Sequence, residues 1–118
     1  MNKYLAKIVY KIVCMNKDAA EQFDEQLCFI EARDINEAFI KARMLGVKNE
    51  DEVDHESGNS IFWKFVDVPF LKIIENLADG DELYASISEH EKDDNYEAYI
   101  KSRAADLQMN FQQQLALA

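Results

Sequence analysis

The chain opens on a strict alternation. Tyr4, Ala6, Ile8, Tyr10, Ile12 and Cys14 recur at period two, with Leu5, Lys7, Val9, Lys11 and Val13 between them. Successive side chains of a strand point to opposite faces, so this pattern predicts an amphipathic strand over residues 3–14. "MNKDAAEQ" breaks the pattern and "FDEQLCFIEA" resumes it, with Phe23, Leu27 and Phe29 on one side and Cys28 and Ile30 on the other. Residues 22–32 should therefore return antiparallel to the first strand after a longish loop. The period then changes to that of a helix over about residues 35–45. Ile35, Ala38, Phe39, Ala42 and Leu45 mark its packed stripe, Asp34 and Glu37 form a capping-box-like start, and Gly46 is expected as the stop. Lys41 and Arg43 should face outward.

Beyond an acidic stretch, "SIFWKFVDV" reads as an aromatic strand, with Ile61, Trp63 and Phe65 on one face and Phe62, Lys64 and Val66 on the other. Pro69 should interrupt pairing, which leaves a separate short strand around residues 70–75. Asp79-Gly80 signals a turn, and Leu83, Ala85 and Ile87 suggest one more strand. The polar run "EHEKDDN" marks a joint. From about Asp94 the pattern is helical to the end, through Tyr96, Ile100, Ala104, Leu107, Phe111 and Leu115.

The expected fold is α+β: an antiparallel sheet of four to five strands with one packed helix, then a long C-terminal helix. The expected division is residues 1–92 for the sheet-and-helix domain and 93–118 for the last helix, packed on the domain or on a second copy. Leu107, Phe111 and Leu115 form its candidate interaction surface, which either docks or frays in water. If the face of the sheet away from the first helix were uncovered, Phe62, Val66, Leu5 and Val9 would form an apolar patch. The expectation is that the last helix covers it.

The segment "FIEARDINEAFIKARMLG", with the later "FWKFVDVPFLKII" and "LADGDELYASI", resembles a family of small bacterial domains of unknown function. The matching positions are Glu31, Ala32, Glu37, Ala38, Ala42, Leu45 and Gly46, then Trp63, Phe65 and Val68, then Gly80, Glu82 and Leu83. The likeness spans about residues 4–90 and implies a compact sheet-and-helix unit in a bacterial cytoplasm. It implies no activity.

Charge narrows the partners. Thirteen basic residues against 23 acidic ones give a net charge of −10. Such a surface repels phosphate backbones, so nucleic acid is not an expected partner, whereas a basic protein is. No apolar run approaches the ~20 residues of a membrane span, and no secretory signal is evident at the N-terminus, so a cytoplasmic setting is expected. Cys14 and Cys28 lie in apolar stretches and read as buried thiols.

Candidate chemistry is sparse. In "NEDEVDHESGNS" the acids Asp51, Asp54 and Glu56 surround His55, but their spacing and the late Gly58 do not match a calcium loop. His55 is a single histidine there and His90 lies far off, so no zinc-type ligand set forms. No thiol–histidine pair, nucleophile elbow or phosphate-cradling glycine cluster stands out. "DGDE" at 79–82 has the composition of a turn. No catalytic residue, cofactor or metal is assigned. The expected function is a protein-binding or self-associating module rather than an enzyme. The alternative is a small ligand-binding protein or enzyme with a pocket lined by sheet aromatics and carboxylates.

Overall fold

A computed structural model describes residues 1–14, 20–54 and 60–117. Two compact units divide it, Met1–Leu83 and Tyr84–Ala118. The first holds strands β1 (Asn2–Cys14) and β2 (Gln22–Ala32), helix α1 (Ile35–Lys48), and strands β3 (Asp51–Asp54) and β4 (Ser60–Ile74). The second holds a 3-10 turn at Lys92–Asp94 and helix α2 (Tyr96–Leu117).

The four strands make one antiparallel sheet in the order β2-β1-β4-β3. The alternation of β1 decides its inner face: Tyr4, Ala6, Ile8 and Tyr10 are buried there, joined by Ile30 and Ala32 of β2 and Val68 of β4. Against these large sheet residues α1 sets small ones. Ala38 and Ala42 are fully covered, Gly46 is buried, and Phe39 and Leu45 flank the contact. Small groups on the helix let its backbone approach the sheet, so the tyrosines and Ile8 supply most of the packed volume.

Asp34 caps α1 as its position suggests, accepting the Glu37 amide at 2.8 Å. The reciprocal half of a capping box is replaced, because the Glu37 carboxylate takes Arg33 Nε at 2.7 Å. Gly46 does not stop the helix. The chain continues to Lys48 and ends at Asn49, whose amide reaches the Leu45 carbonyl at 3.0 Å. Ile35, expected in the packed stripe, is 53% exposed. Lys41 and Arg43 are exposed yet anchored: Lys41 Nζ donates to the Glu31 carbonyl at 2.9 Å, and Arg43 grips Asp67 through two bonds of 2.9 and 3.0 Å. Arg43 also lies over the Phe39 ring, 4.2 Å from its centre.

Pro69 does not end a strand. β4 runs unbroken through it, and the separate strand expected around residues 70–75 is the far half of β4. The register against β1 shifts twice here, from Lys7↔Phe70 to Val9↔Asp67 and then to Tyr10↔Phe65. Each shift places one extra residue on β4, and β3 pairs only with Ser60–Trp63. Pro69 thus sits at a bulge on an edge, where its missing N–H costs no ladder bond.

The strand expected at Leu83, Ala85 and Ile87 does not form, and Ile87 is 99% exposed. Alternation by itself does not make a strand, which also needs a neighbour to pair with. The preceding turn does form: Gly80 has φ +93°, Asp81 donates its amide to the Ala78 carbonyl, and Ala78 returns a bond to the Asp81 carboxylate. Before α2, Asn95 adopts φ +50°, a left-handed conformation that asparagine tolerates. That residue separates the 3-10 turn from α2, so the helix begins at Tyr96.

The Arg43 pair gives a pH test. Arg43, and secondly the Val68 amide, hold the Asp67 carboxyl below its ordinary value. The unfolded chain therefore binds a proton first as pH falls. The stabilisation is complete above about pH 4 and is lost as pH drops through the lower native value. Melting temperature below pH 4 should fall more steeply for the wild type than for Asp67→Asn.

Candidate interaction surface

The strand register builds the sheet's outer face, away from α1, row by row. Directly opposed residues share a face, so Phe29, Leu5 and Lys72 form one row, Leu27, Lys7 and Phe70 the next, and Phe23, Lys11 and Lys64 a third. Phe23, Leu27 and Phe29 are 51%, 47% and 56% exposed. Of the patch expected from sequence, Leu5, Val9 and Phe62 are half-buried, while Val66, at the second bulge, is exposed. Lysine stems lie between the apolar groups, with their charges spread among acids of β2 and its approach. Lys7 Nζ reaches Glu25 at 3.0 Å and Lys11 Nζ reaches Glu21 at 3.2 Å. The exposed Lys11–Glu21 pair fixes side-chain positions more than it stabilises the fold, while Lys7 is largely covered.

The edges of the sheet differ. Past the end of β3, the Phe65 amide of β4 would be unpaired, but Glu50 Oε2 accepts it at 3.0 Å. Two bulges and Pro69 continue that protection. β2 is the terminal strand on the other side, with Lys41 on its edge at the Glu31 carbonyl, and between Gln22 and Ala32 it carries Asp24, Glu25 and Glu31 with no basic residue. Beside this edge a cavity of about 300 Å³ opens between β2 and α1, lined by Phe29, Ile30, Glu31, Lys41 and Leu45.

On α2, Ile100, Leu107 and Phe111 are each about half exposed, at helical spacing. Leu115, the third residue of the expected surface, has a side chain outside the described set. Glu97 and Lys101 pair one turn apart at 3.2 Å.

Among the described residues, those singled out for chemistry do not converge. Asp51 and Asp54, expected in a loop, lie in β3 opposite Trp63 and Ser60. His55, Glu56 and Gly58 lie outside the described residues. His90 stacks on Tyr96 at 3.8 Å and meets Ser88 Oγ at 3.0 Å. Cys14 is exposed and Cys28 half-buried, which corrects the expectation of two core thiols, and neither is in a disulfide. Cys14 is the last residue of β1, whereas Cys28 lies opposite Ala6 and packs against the core from its margin. Partial burial pushes the Cys28 thiol up. Among the described residues no three His, Cys, Asp or Glu side chains gather to hold a metal ion. No helix of these residues is long and apolar enough to cross a membrane.

Two features escaped the sequence. Glu50 as a cap on β4 carries no local signature, because its partner lies 15 residues away. The Phe23–Leu27–Phe29 row was visible as an alternation, but which face α1 would choose was not.

The model of one protein family, described as a domain of unknown function (DUF4288), matches residues 3–85. The chain belongs to this family. The matched DUF4288 range takes in all four strands and α1, and α2 lies beyond it. The match agrees with the expected resemblance to a small family of unknown function. No curated protein and no solved structure matches the chain.

Proposed function

We propose that this DUF4288 protein is a non-enzymatic protein-binding module of the cytoplasm that recognises a basic partner. The observation that carries the reading is the outer sheet face, where Phe23, Leu27 and Phe29 are about half exposed beside Glu25 and Glu31. An apolar centre with a charged rim is the composition of a recognition surface, and the net charge of −10 favours cationic partners. The test compares proteins retained from lysate by the wild type and by Phe23→Asp/Phe29→Asp. A partner lost with the variant and released by salt supports the reading. Equal retention by both, or none by either, rejects it.

A second reading rests on the exposed Ile100, Leu107 and Phe111 of α2: the helix joins two copies. Light scattering should find a wild-type dimer that Leu107→Glu/Phe111→Glu converts to monomer. A monomeric wild type at 100-micromolar-order concentration, roughly that of a weak dimer's dissociation constant, rejects self-association. The small-ligand alternative has less support. The cavity of about 380 Å³ at the end of β4 is walled by Ile73, Ile74, Leu77, Leu83 and carboxylates such as Glu82, without an aromatic side chain.

A further inference from the structure

We propose that the free edge of β2 is a strand-addition site for an extended partner segment that alternates basic and apolar residues. The inference rests on the protein-binding reading above and specifies where and how the partner docks.

Two hydrogen bonds decide which backbone groups of β2 are available. The Phe65 amide donates to Glu50, on the side of β4 away from β1. Its register partner Tyr10 therefore turns its own N–H and C=O toward β2, where it meets Asp24. Even-numbered residues of β2 then bond to β1, and odd-numbered ones turn outward. Lys41 gives the same parity independently, since it reaches the Glu31 carbonyl from α1, outside the ladder. Phe23, Glu25, Leu27 and Phe29 thus present a continuous row of unpaired donors and acceptors. Water satisfies these groups one at a time, whereas an added strand pairs with the whole row at once, which makes such an edge a template for strand addition.

The long stretch of β4 that β3 leaves uncovered is, by contrast, protected. β4 is stoppered by Glu50, two bulges and Pro69, and the β2 edge is closed at Glu31 alone, by Lys41. Charge selects the occupant. β2 holds three acids and no base, and its other edge already displays the kind of strand it accepts: β1, whose Lys7 and Lys11 reach Glu25 and Glu21. A second copy of β2 would instead bring acids against acids. The cavity between Phe29 and Leu45 offers an apolar side chain of the incoming strand a seat.

The probe is a nine-residue peptide, KYLAKIVYK, copied from residues 3–11. A control peptide has its three lysines replaced by glutamate. Amide hydrogen exchange is read residue by residue on the full chain. Without peptide, Phe23, Glu25, Leu27 and Phe29 should exchange fast and Asp24, Gln26, Cys28 and Ile30 slowly. The basic peptide should slow the odd set at least about tenfold and the acidic control should not. Glu25→Gln/Glu31→Gln, changed only at exposed positions, should keep the fold and weaken binding about fivefold. Binding that leaves the odd amides unchanged overturns the edge site while the protein-binding reading stands. Failure of the basic peptide to bind also overturns the edge site, and the Phe23→Asp/Phe29→Asp comparison then decides the broader reading separately.

Discussion

Replacing Tyr10 by alanine should cost about 3–5 kcal/mol, a large part of the 5–15 kcal/mol that holds an ordinary domain folded. Tyr10 is 1% exposed at the centre of the sheet's inner face, with its ring edge-on to Phe65 at 6.2 Å. Truncation would remove that ring from beneath α1 and leave a cavity that the two neighbouring strands, fixed in register, cannot close. The melting temperature should fall by about 20 °C. Phenylalanine at the same position has the opposite expectation. The Tyr10 hydroxyl is buried and no group among the described residues bonds to it, so Tyr10→Phe should leave stability unchanged or raise it by up to about 1 kcal/mol. A loss above about 1 kcal/mol would mean the hydroxyl is satisfied in solution.

The same group sets an alkaline limit. Burial first, then the nearby Cys28, Asp24 and Glu50, push the Tyr10 phenol above its ordinary value of 10.0. The unfolded chain releases this proton before the native one. The contribution is therefore whole below pH 10 and lost as pH rises through the native value. Tyr10→Phe should lack that component, so its stability should decline less above pH 10. Parallel alkaline melts of the two proteins measure the difference.

The second large effect concerns Gly46. Helix propensity alone predicts that Gly46→Ala gains about 1 kcal/mol, since the residue lies inside α1 with an ordinary backbone. Packing predicts the reverse. A methyl group there would run into the Phe65 ring, overlapping its Cδ1 and Cε1 edge and reaching within 3.0 Å of Cζ. The Phe65 ring also meets Tyr10 edge-on, so moving it to relieve the overlap would disturb that contact. The variant should lose about 1–2 kcal/mol net, and a methyl-sized overlap relieved by Phe65→Leu should restore most of it. Chemical denaturation of the two single variants and the double variant gives the coupling energy. A stabilised Gly46→Ala protein would show that Phe65 yields to the methyl group and that helix propensity dominates.

Gly46 also shows how far a sequence can be read. A glycine near the end of a helical pattern is the usual sign of a stop, and nothing local distinguishes a stop from a close approach. Only Phe65, 19 positions further along the chain, makes it the latter. Pro69 is a similar case. It reads as a break, but a bulge on an edge removes the need for its N–H, and whether a strand is an edge depends on where every other strand goes. Ile35 belonged to the helical stripe by spacing, yet as the first residue of α1 it stays 53% exposed.

For the interaction surface, the apolar residues of α2 and the alternation of β2 were both legible. The open β2 edge was not. Its parity follows from Glu50 meeting Phe65 and Lys41 meeting Glu31, contacts between residues 10 and 15 apart that no period encodes.

The sequence by itself determined the class of the fold, the β1 and β2 hairpin, α1 with its Asp34 cap, the turn at Gly80 and the acidic balance of charge. These follow from nearest-neighbour chemistry: period, capping and turn conformation act over four or five residues. Tertiary structure alone decided that β4 runs as one strand, that α1 passes Gly46, which thiols stay covered, and which edge of the sheet lies open. Those outcomes depend on which surfaces meet, and burial is settled only when distant segments compete for the same face.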